Sequence, residues 1–284
     1  MTPGVAAGGC SGEGAAVTLL HGDALAILPT LGSASVDLVF GSPPYPLKGR
    51  RYDGLGERFG VREWVGFMVA LTKESVRVCR GDVIWVVNAP VVEGAYQPAI
   101  EGLLWAWYEA GGKLDRPCIW HKNAPPTPKH RWFSNSWEYV VCFPRPGPRA
   151  VFDWEAIARQ PVHTFAGSTP QRTAGGRRPT KPREYLSPSL ARPRDVFHVA
   201  VGGGQMGHKA AHRNEAPFPV ALAERFVKVL TRPGDTVLDP VMGSGTTGHA
   251  AKQCGRKFVG IEIRESQVLL ARRRLATVTP PLFA

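Results

Sequence analysis

Two short stretches of the chain carry residues able to do chemistry. Ser42-Pro43-Pro44-Tyr45 joins a hydroxyl, two consecutive prolines and an aromatic ring. Consecutive prolines hold a rigid extended turn, so this loop can aim the Ser42 oxygen and the Pro43 carbonyl as a fixed pair of hydrogen-bond acceptors. Ser42 is then an acceptor and not a strong base. The second stretch, Asp239-Pro240-Val241-Met242-Gly243-Ser244-Gly245-Thr246-Thr247-Gly248, is a glycine-rich turn between an apolar run and a helix, where a ligand can approach the backbone closely. Glu262 closes the next apolar run, a place from which an acid can accept both hydroxyls of a ribose. Glycines 243, 245 and 248 match the GxGxxG of dinucleotide sites, a weak match when alone. Asp239 argues against that reading, because a carboxylate suits an amino acid's ammonium better than a pyrophosphate. Only about twenty residues follow Glu262, too few to complete a nucleotide-binding sheet.

The elements that must hold these loops follow from hydrophobic periodicity. Val17–Leu20 and Val36–Phe40 read as buried strands with a helix near Ala24–Leu28 between them. A helix over about 61–79 leads through Arg80-Gly81-Asp82 into the strand Val83–Val87. A helix near 98–110 and strands near Lys113–Trp120 and Glu138–Phe143 follow. From 159 to 194 the pattern breaks: eight Lys or Arg stand against one acid, Glu184, among six prolines. Long regular elements are improbable there, and an irregular basic insertion of this length is more often functional than not. Phe218-Pro219 then opens a helix with Ala223, Phe226, Val227 and Leu230 on one face, followed by the strand Thr236–Asp239. If the first strands pair beside the last ones, the chain forms one doubly wound α/β sheet whose halves are written in reverse order.

With 284 residues and 43% hydrophobic side chains the chain can bury one large core with a modest inserted lobe. No run reaches the length of a membrane span, and Met1–Ala16 lacks the pattern of a signal peptide, so a flexible tail over 1–16, a cytoplasmic location and no membrane partner are expected. Five scattered cysteines offer neither zinc spacing nor a disulfide framework, and no metal is expected. A formal charge of +12 favours a polyanionic partner.

The order of the motifs resembles that of the amino-group DNA methyltransferases of the beta group: catalytic loop, variable region, cofactor loop. His21-Gly22-Asp23 is similar to their adenine-contacting segment, Asn135-Ser136-Trp137-Glu138-Tyr139 to a strand of their catalytic half, and His212–Pro219 to the segment before the cofactor strand. The resemblance implies a Rossmann-like S-adenosylmethionine-dependent methyltransferase fold in circularly permuted order with an inserted irregular target-recognition lobe. It implies a catalytic half over 17–150, a target-recognition region over 151–211 and a cofactor half over 212–284. Ser42, Pro43, Pro44 and Tyr45 would be catalytic, with Tyr45 stacking on a base flipped out of the duplex. S-adenosyl-L-methionine would be held by Asp23, Phe218, Asp239, Pro240, Gly243, Ser244, Gly245, Thr246 and Glu262. For Asp23 a helix N-cap is nearly as good a reading, Thr246 would serve either the cofactor carboxylate or the first turn of its helix, and for Phe218 a buried aromatic at the helix start is the plainer reading. Arg172, Arg177, Arg178, Lys181 and Arg183 would meet double-stranded DNA. A cognate restriction endonuclease would be a further partner, and the protein a monomer or homodimer.

Relatives with Ser at the first catalytic position are mostly N4-cytosine enzymes, so the expected product is N4-methylcytosine, with N6-methyladenine the alternative. Remoter readings are an RNA amine methyltransferase, a non-catalytic DNA-binding protein and a nicotinamide-dependent dehydrogenase. Methylation of cytosine at its ring carbon, for which Pro117-Cys118 offers a dipeptide, is rejected because it would leave Ser42–Tyr45 without a role.

Overall fold

The computed structural model describes residues 16–45, 60–123, 135–160, 166–169, 183–186, 188–202 and 217–281. The strands are β1 (Val17–His21), β2 (Leu38–Gly41), β3 (Asp82–Val87), β4 (Val91–Val92), β5 (Ala95–Tyr96), β6 (Cys118–His121), β7 (Trp137–Pro144), β8 (Ala166–Thr169), β9 (Arg183–Leu186), β10 (Val196–His198), β11 (Thr236–Asp239) and β12 (Lys257–Glu262). The α-helices are α1 (Ala24–Ile27), α2 (Val61–Val78), α3 (Ala99–Glu109), α4 (Val220–Leu230), α5 (Thr246–Gln253) and α6 (Glu265–Ala276).

Eight strands form one sheet in the order β1-β12-β11-β2-β3-β7-β6-β10, parallel except for β7. The chain runs from β2 to β3 in one direction and from β11 to β12 in the other. The boundary between β11 and β2, where Val237 and Leu238 pair with Leu38 and Val39, is therefore a topological switch point. The sheet joins both ends of the sequence, as the reversed order of its halves requires.

Alternation along the strands sorts the apolar residues into two layers. Leu38, Phe40, Ile84, Val86, Val237 and Phe258 pack with Ala223 and Val227 of α4, Ala250 and Ala251 of α5 and Leu275 of α6. Val39, Val83, Trp85, Leu238 and Ile261 pack on the other face with Trp64, Met68 and Leu71 of α2 and Ile100 and Leu103 of α3. All residues of β2 and β3 are buried, as fits central strands covered by helices on both faces.

Two sequence expectations change here. The strand expected over 113–120 begins only at Cys118, since Pro117 has no N–H for the ladder; Asp115 N–H instead donates to the Cys142 carbonyl at 3.1 Å. The recognition region expected over 151–211 is divided. Residues 153–194 form a compact unit of their own, in which β8 and β9 pair antiparallel, whereas β10 belongs to the main sheet beside β6, with Phe197 buried. The expected tail lies, apart from residue 16, outside the described residues. Among the described residues no helix is long and apolar enough to cross a membrane.

Gly248 shows how closely α5 lies on β12. A β-carbon there would stand 2.6 Å from the Phe258 ring and 3.0 Å from Leu275. Alanine gains about 1 kcal/mol of helix propensity, but overpacking a filled core costs about 1–3 kcal/mol. With the ring only 2.6 Å away the cost stands at the upper end of that range, a net loss of about 1–2 kcal/mol, so G248A is expected to lower the melting temperature by roughly 2–8 °C; an unchanged or raised melting temperature would show that α5 can move away from the sheet.

Candidate active site

Because β2 and β11 are parallel neighbours, the loops that leave their carboxyl ends line one cleft. Its walls are Gly22, Asp23 and Ala24 from the turn after β1, Ser42–Tyr45 after β2, Phe67 of α2, Pro240, Val241 and Gly243 after β11, and Glu262, Ile263 and Arg264 at the end of β12. It takes in about 720 Å³ of space, part of it open to solvent.

The two loops are joined through Asp239. This residue is 1% exposed; its Oδ2 accepts from the Thr247 hydroxyl at 2.6 Å and its Oδ1 from the Val241 N–H at 3.1 Å. The same Thr247 oxygen lies 3.2 Å from the carbonyl of Phe40 in β2. Gly41 presses against the acid from the catalytic side, where a β-carbon would stand 2.6 Å from Oδ1. Burial pushes the Asp239 carboxyl up to about 7, the Glu262 charge adds to that rise, and the Thr247 and Val241 hydrogen bonds oppose it.

On the cofactor side, Glu262 accepts from Gly243 N–H at 2.9 Å and from Arg264 N–H at 3.0 Å while its carboxylate faces the cleft. Gly243 and Gly245 take φ of +50° and +80°, conformations that glycine adopts readily. Ser244, Gly245 and Thr246 turn away from the cleft. Arg274, fully buried in α6, donates to the Ser244 carbonyl and hydroxyl at 3.2 and 3.3 Å and to the Thr246 hydroxyl at 2.9 Å. Burial lowers Arg274 to about 10, so it is still charged at neutral pH.

On the catalytic side, the Ser42 hydroxyl donates to the Val86 carbonyl at 3.0 Å and lies 3.4 Å from the Tyr45 hydroxyl. Tyr45 donates to Glu138 Oε2 at 2.8 Å, and Lys122 donates to Glu138 Oε1 at 2.7 Å. The Trp64 indole fixes the loop from below by donating to the Pro44 carbonyl at 2.6 Å.

Ser42, Pro43, Pro44, Tyr45, Asp23, Pro240, Gly243 and Glu262 are thus brought together. Asp239 lies one layer beneath the cleft, and Asp23 caps α1 through its Oδ1 and the Leu25 N–H while still lining the cleft. Phe218 is not among the described cleft residues; it packs edge-on against Phe40 with ring centroids 5.7 Å apart, because alternation places Phe40 on the α4 face of the sheet. Arg172, Arg177, Arg178 and Lys181 lie outside the described residues, and Arg183 begins β9. The Cys118 thiol is pushed up to about 11 by burial and by Asp195 and Asp115, unlike a reactive thiolate, and Cys118 is not among the cleft residues. Sequence reasoning gave no role to Glu138, Lys122, Trp64, Gly41 or Arg274. Only Glu138 carried a visible sign, being a lone acid within the aromatic and β-branched run Trp137–Val141.

Residues 36–273 match the family model described as DNA methylase. The DNA adenine methyltransferase YhdJ of Escherichia coli (strain K12) is 28% identical over 261 residues, covering 92% of this chain and 83% of its own length. The type II methyltransferase M.Cfr9I of Citrobacter freundii is 28% identical over 294 residues, covering 91% and 87%. TTHA0409 of Thermus thermophilus, in complex with S-adenosyl-L-methionine, aligns with a TM-score of 0.61 at 26% identity over 93% of this chain and 95% of that one. The cytosine-N4-specific PvuII DNA methyltransferase has the same fold, with a TM-score of 0.66 at 21% identity over 91% and 86%.

A carboxyl whose folded value stands above its unfolded value contributes stability that is full below the unfolded value, here 3.8, and lost as pH rises through about 7. Thr247→Val, nearly isosteric, removes a donor that favours the ionised form. It should cost about 1–3 kcal/mol in denaturant melts at pH 8 and clearly less at pH 6, where Asp239 is mostly protonated. Equal losses at both pH values would place the titration of Asp239 elsewhere.

Proposed function

The chain belongs to the DNA methylase family, as an amino-group DNA methyltransferase of the beta group, and on that premise we propose that it methylates the N4 amine of a flipped-out cytosine in double-stranded DNA. The cofactor is S-adenosyl-L-methionine. The residues present fit it: an acid that lines the cleft at Glu262, glycine backbone at Gly243 and a second acid beneath them at Asp239. When bound, it supplies an electrophilic methyl group.

Glu262 holds the ribose hydroxyls and Gly243 gives close backbone approach, with Pro240 beside it. Ser244, Gly245 and Thr246 act from behind, keeping the turn in place on Arg274. Asp239, one layer down, acts on the ammonium through its charge. Asp23 keeps its second oxygen for the adenine amine.

The observation that carries the reading is the direction of the Ser42 hydroxyl. An exocyclic amine is a poor nucleophile because its lone pair is delocalised into the ring. Acceptors around its hydrogens favour a pyramidal nitrogen, and their attraction grows as positive charge develops. With its proton on the Val86 carbonyl, Ser42 keeps lone pairs for the amine, and the Pro43 carbonyl takes the other hydrogen. Tyr45 stacks on the extruded base. A neutral serine in this place supports cytosine. The adenine activity in the name of YhdJ supports the second reading, N6-methyladenine. Nucleoside mass spectrometry of DNA methylated by the purified protein should show N4-methylcytosine, and Ser42→Ala should lower its formation about 100-fold. N6-methyladenine as the sole product would overturn the choice of base; no methylated base in any duplex, despite bound cofactor, would overturn the reading.

Residues 159–194 form the target-recognition lobe. Their basic composition suits phosphate and groove contacts, and they fall within the separate compact unit. Changing Arg177 and Arg178 together to Ala should weaken DNA binding and reduce the salt slope by roughly one to two, with cofactor binding unaltered in calorimetry. Full DNA affinity and unchanged sequence preference in that variant would remove the lobe from the interface.

A further inference from the structure

Behind the catalytic serine runs a polar chain in which every proton has a direction. Lys122 donates to one oxygen of Glu138 at 2.7 Å and Tyr45 donates to the other at 2.8 Å. Ser42 donates to the Val86 carbonyl at 3.0 Å. The Ser42 and Tyr45 oxygens face each other at 3.4 Å with both protons already drawn elsewhere. Glu138 is 9% exposed near the start of β7, and the Lys122 ammonium that neutralises it also lies over the Trp120 ring, 5.6 Å from its centroid. A buried carboxylate with its own cation is costly to place in a sheet.

We propose that Glu138 is a positioning residue that sets the direction of the Tyr45 hydroxyl and so keeps the Ser42 lone pairs open to the amine; this rests on the amine-methylating reading of the loop. A carboxylate can only accept, so it draws the Tyr45 proton away from Ser42. An amide at position 138 would turn its oxygen to Lys122 and its NH₂ to Tyr45. The Tyr45 proton would then be released to turn to Ser42 Oγ, 3.4 Å away, and occupy the lone pair that the reaction uses. The fault would lie in the proton on Tyr45, so removing that hydroxyl should repair it.

The test compares Glu138→Gln and Glu138→Asp in the wild-type and Tyr45→Phe backgrounds, reading kcat for DNA methylation and the affinity for S-adenosylmethionine. Glu138→Gln is expected to lower kcat about 10- to 100-fold beside Tyr45 and less than about threefold in the Y45F background, so that the double variant is faster than Glu138→Gln alone. The affinity for S-adenosylmethionine should be the same throughout. A folding cost appears in both backgrounds and cancels in the ratio; Glu138→Asp, which keeps the charge but shortens the reach, carries the comparison where the amide does not fold. Equal losses in both backgrounds would make Glu138 a mere anchor of the strand and overturn the inference. A wild-type protein that methylates no base would instead overturn the reading of the loop, whatever the variants do.

Discussion

The fold turns on one buried carboxylate. Asp239 ends β11 at the point where the chain's two halves meet, and it is held by Thr247 from the cofactor helix, Val241 from the cofactor loop and the bare Cα of Gly41 from the catalytic strand. Thr247 also reaches the Phe40 carbonyl, 207 residues away in sequence. A carboxylate leaves water only at a large cost unless its oxygens are met. The cost here is partly retained, as the rise to about 7 records. Catalytic and cofactor loops are thereby fixed to one another through a group that tolerates little displacement, and group transfer gains from such fixed placement because misalignment of the order of 1 Å can be expensive.

The same pattern recurs one layer out on each side. Arg274 stands beneath the cofactor turn and Glu138, with Lys122, beneath the catalytic loop. Neither is a surface ion pair of the kind formed by Arg80 with Asp37 or Lys228 with Glu224, which contribute little to stability. Each buried charge orients polar atoms of a loop that apolar packing alone would leave free to rotate. The loops are short and rich in proline and glycine, so their conformations are set by backbone geometry, while the directions of their hydroxyl protons are set by the charges behind them.

Much of this was legible in the sequence, and the reason is local. The apolar run Thr236–Asp239, the glycine turn and the run Phe258–Glu262 each carry their own backbone instructions, and Ser42–Tyr45 does the same through its prolines. The doubly wound sheet followed from asking where the strands missing after Glu262 could come from. What stayed hidden depends on partners distant in sequence. Nothing near Arg274 says that it runs under Ser244, and nothing near Glu138 names Tyr45 or Lys122. The three residues of β10 fell within the range 151–211 assigned to target recognition, because a strand that short has no period of its own. Of the two readings of Phe218 the plainer was a buried aromatic at the helix start, and the alternation of β2 places Phe40 on the α4 face, where Phe218 packs on it.

Serine at the first catalytic position narrows the chemistry further than an acid would. An ionised carboxylate there would attract the developing cation strongly, but it would also have to be stripped of water in the free enzyme, beside Asp239 and Glu262 already crowding one end of the sheet. A hydroxyl brings no third negative charge. It accepts well only if its own proton is held elsewhere, and the Val86 carbonyl, at the end of the neighbouring strand, supplies that hold. The pairing of β2 with β3 is what puts Val86 in reach. The acceptor strength of the catalytic loop is therefore a property of the sheet: a strand register places a carbonyl behind a serine, and the serine's lone pairs turn to the cleft as a consequence.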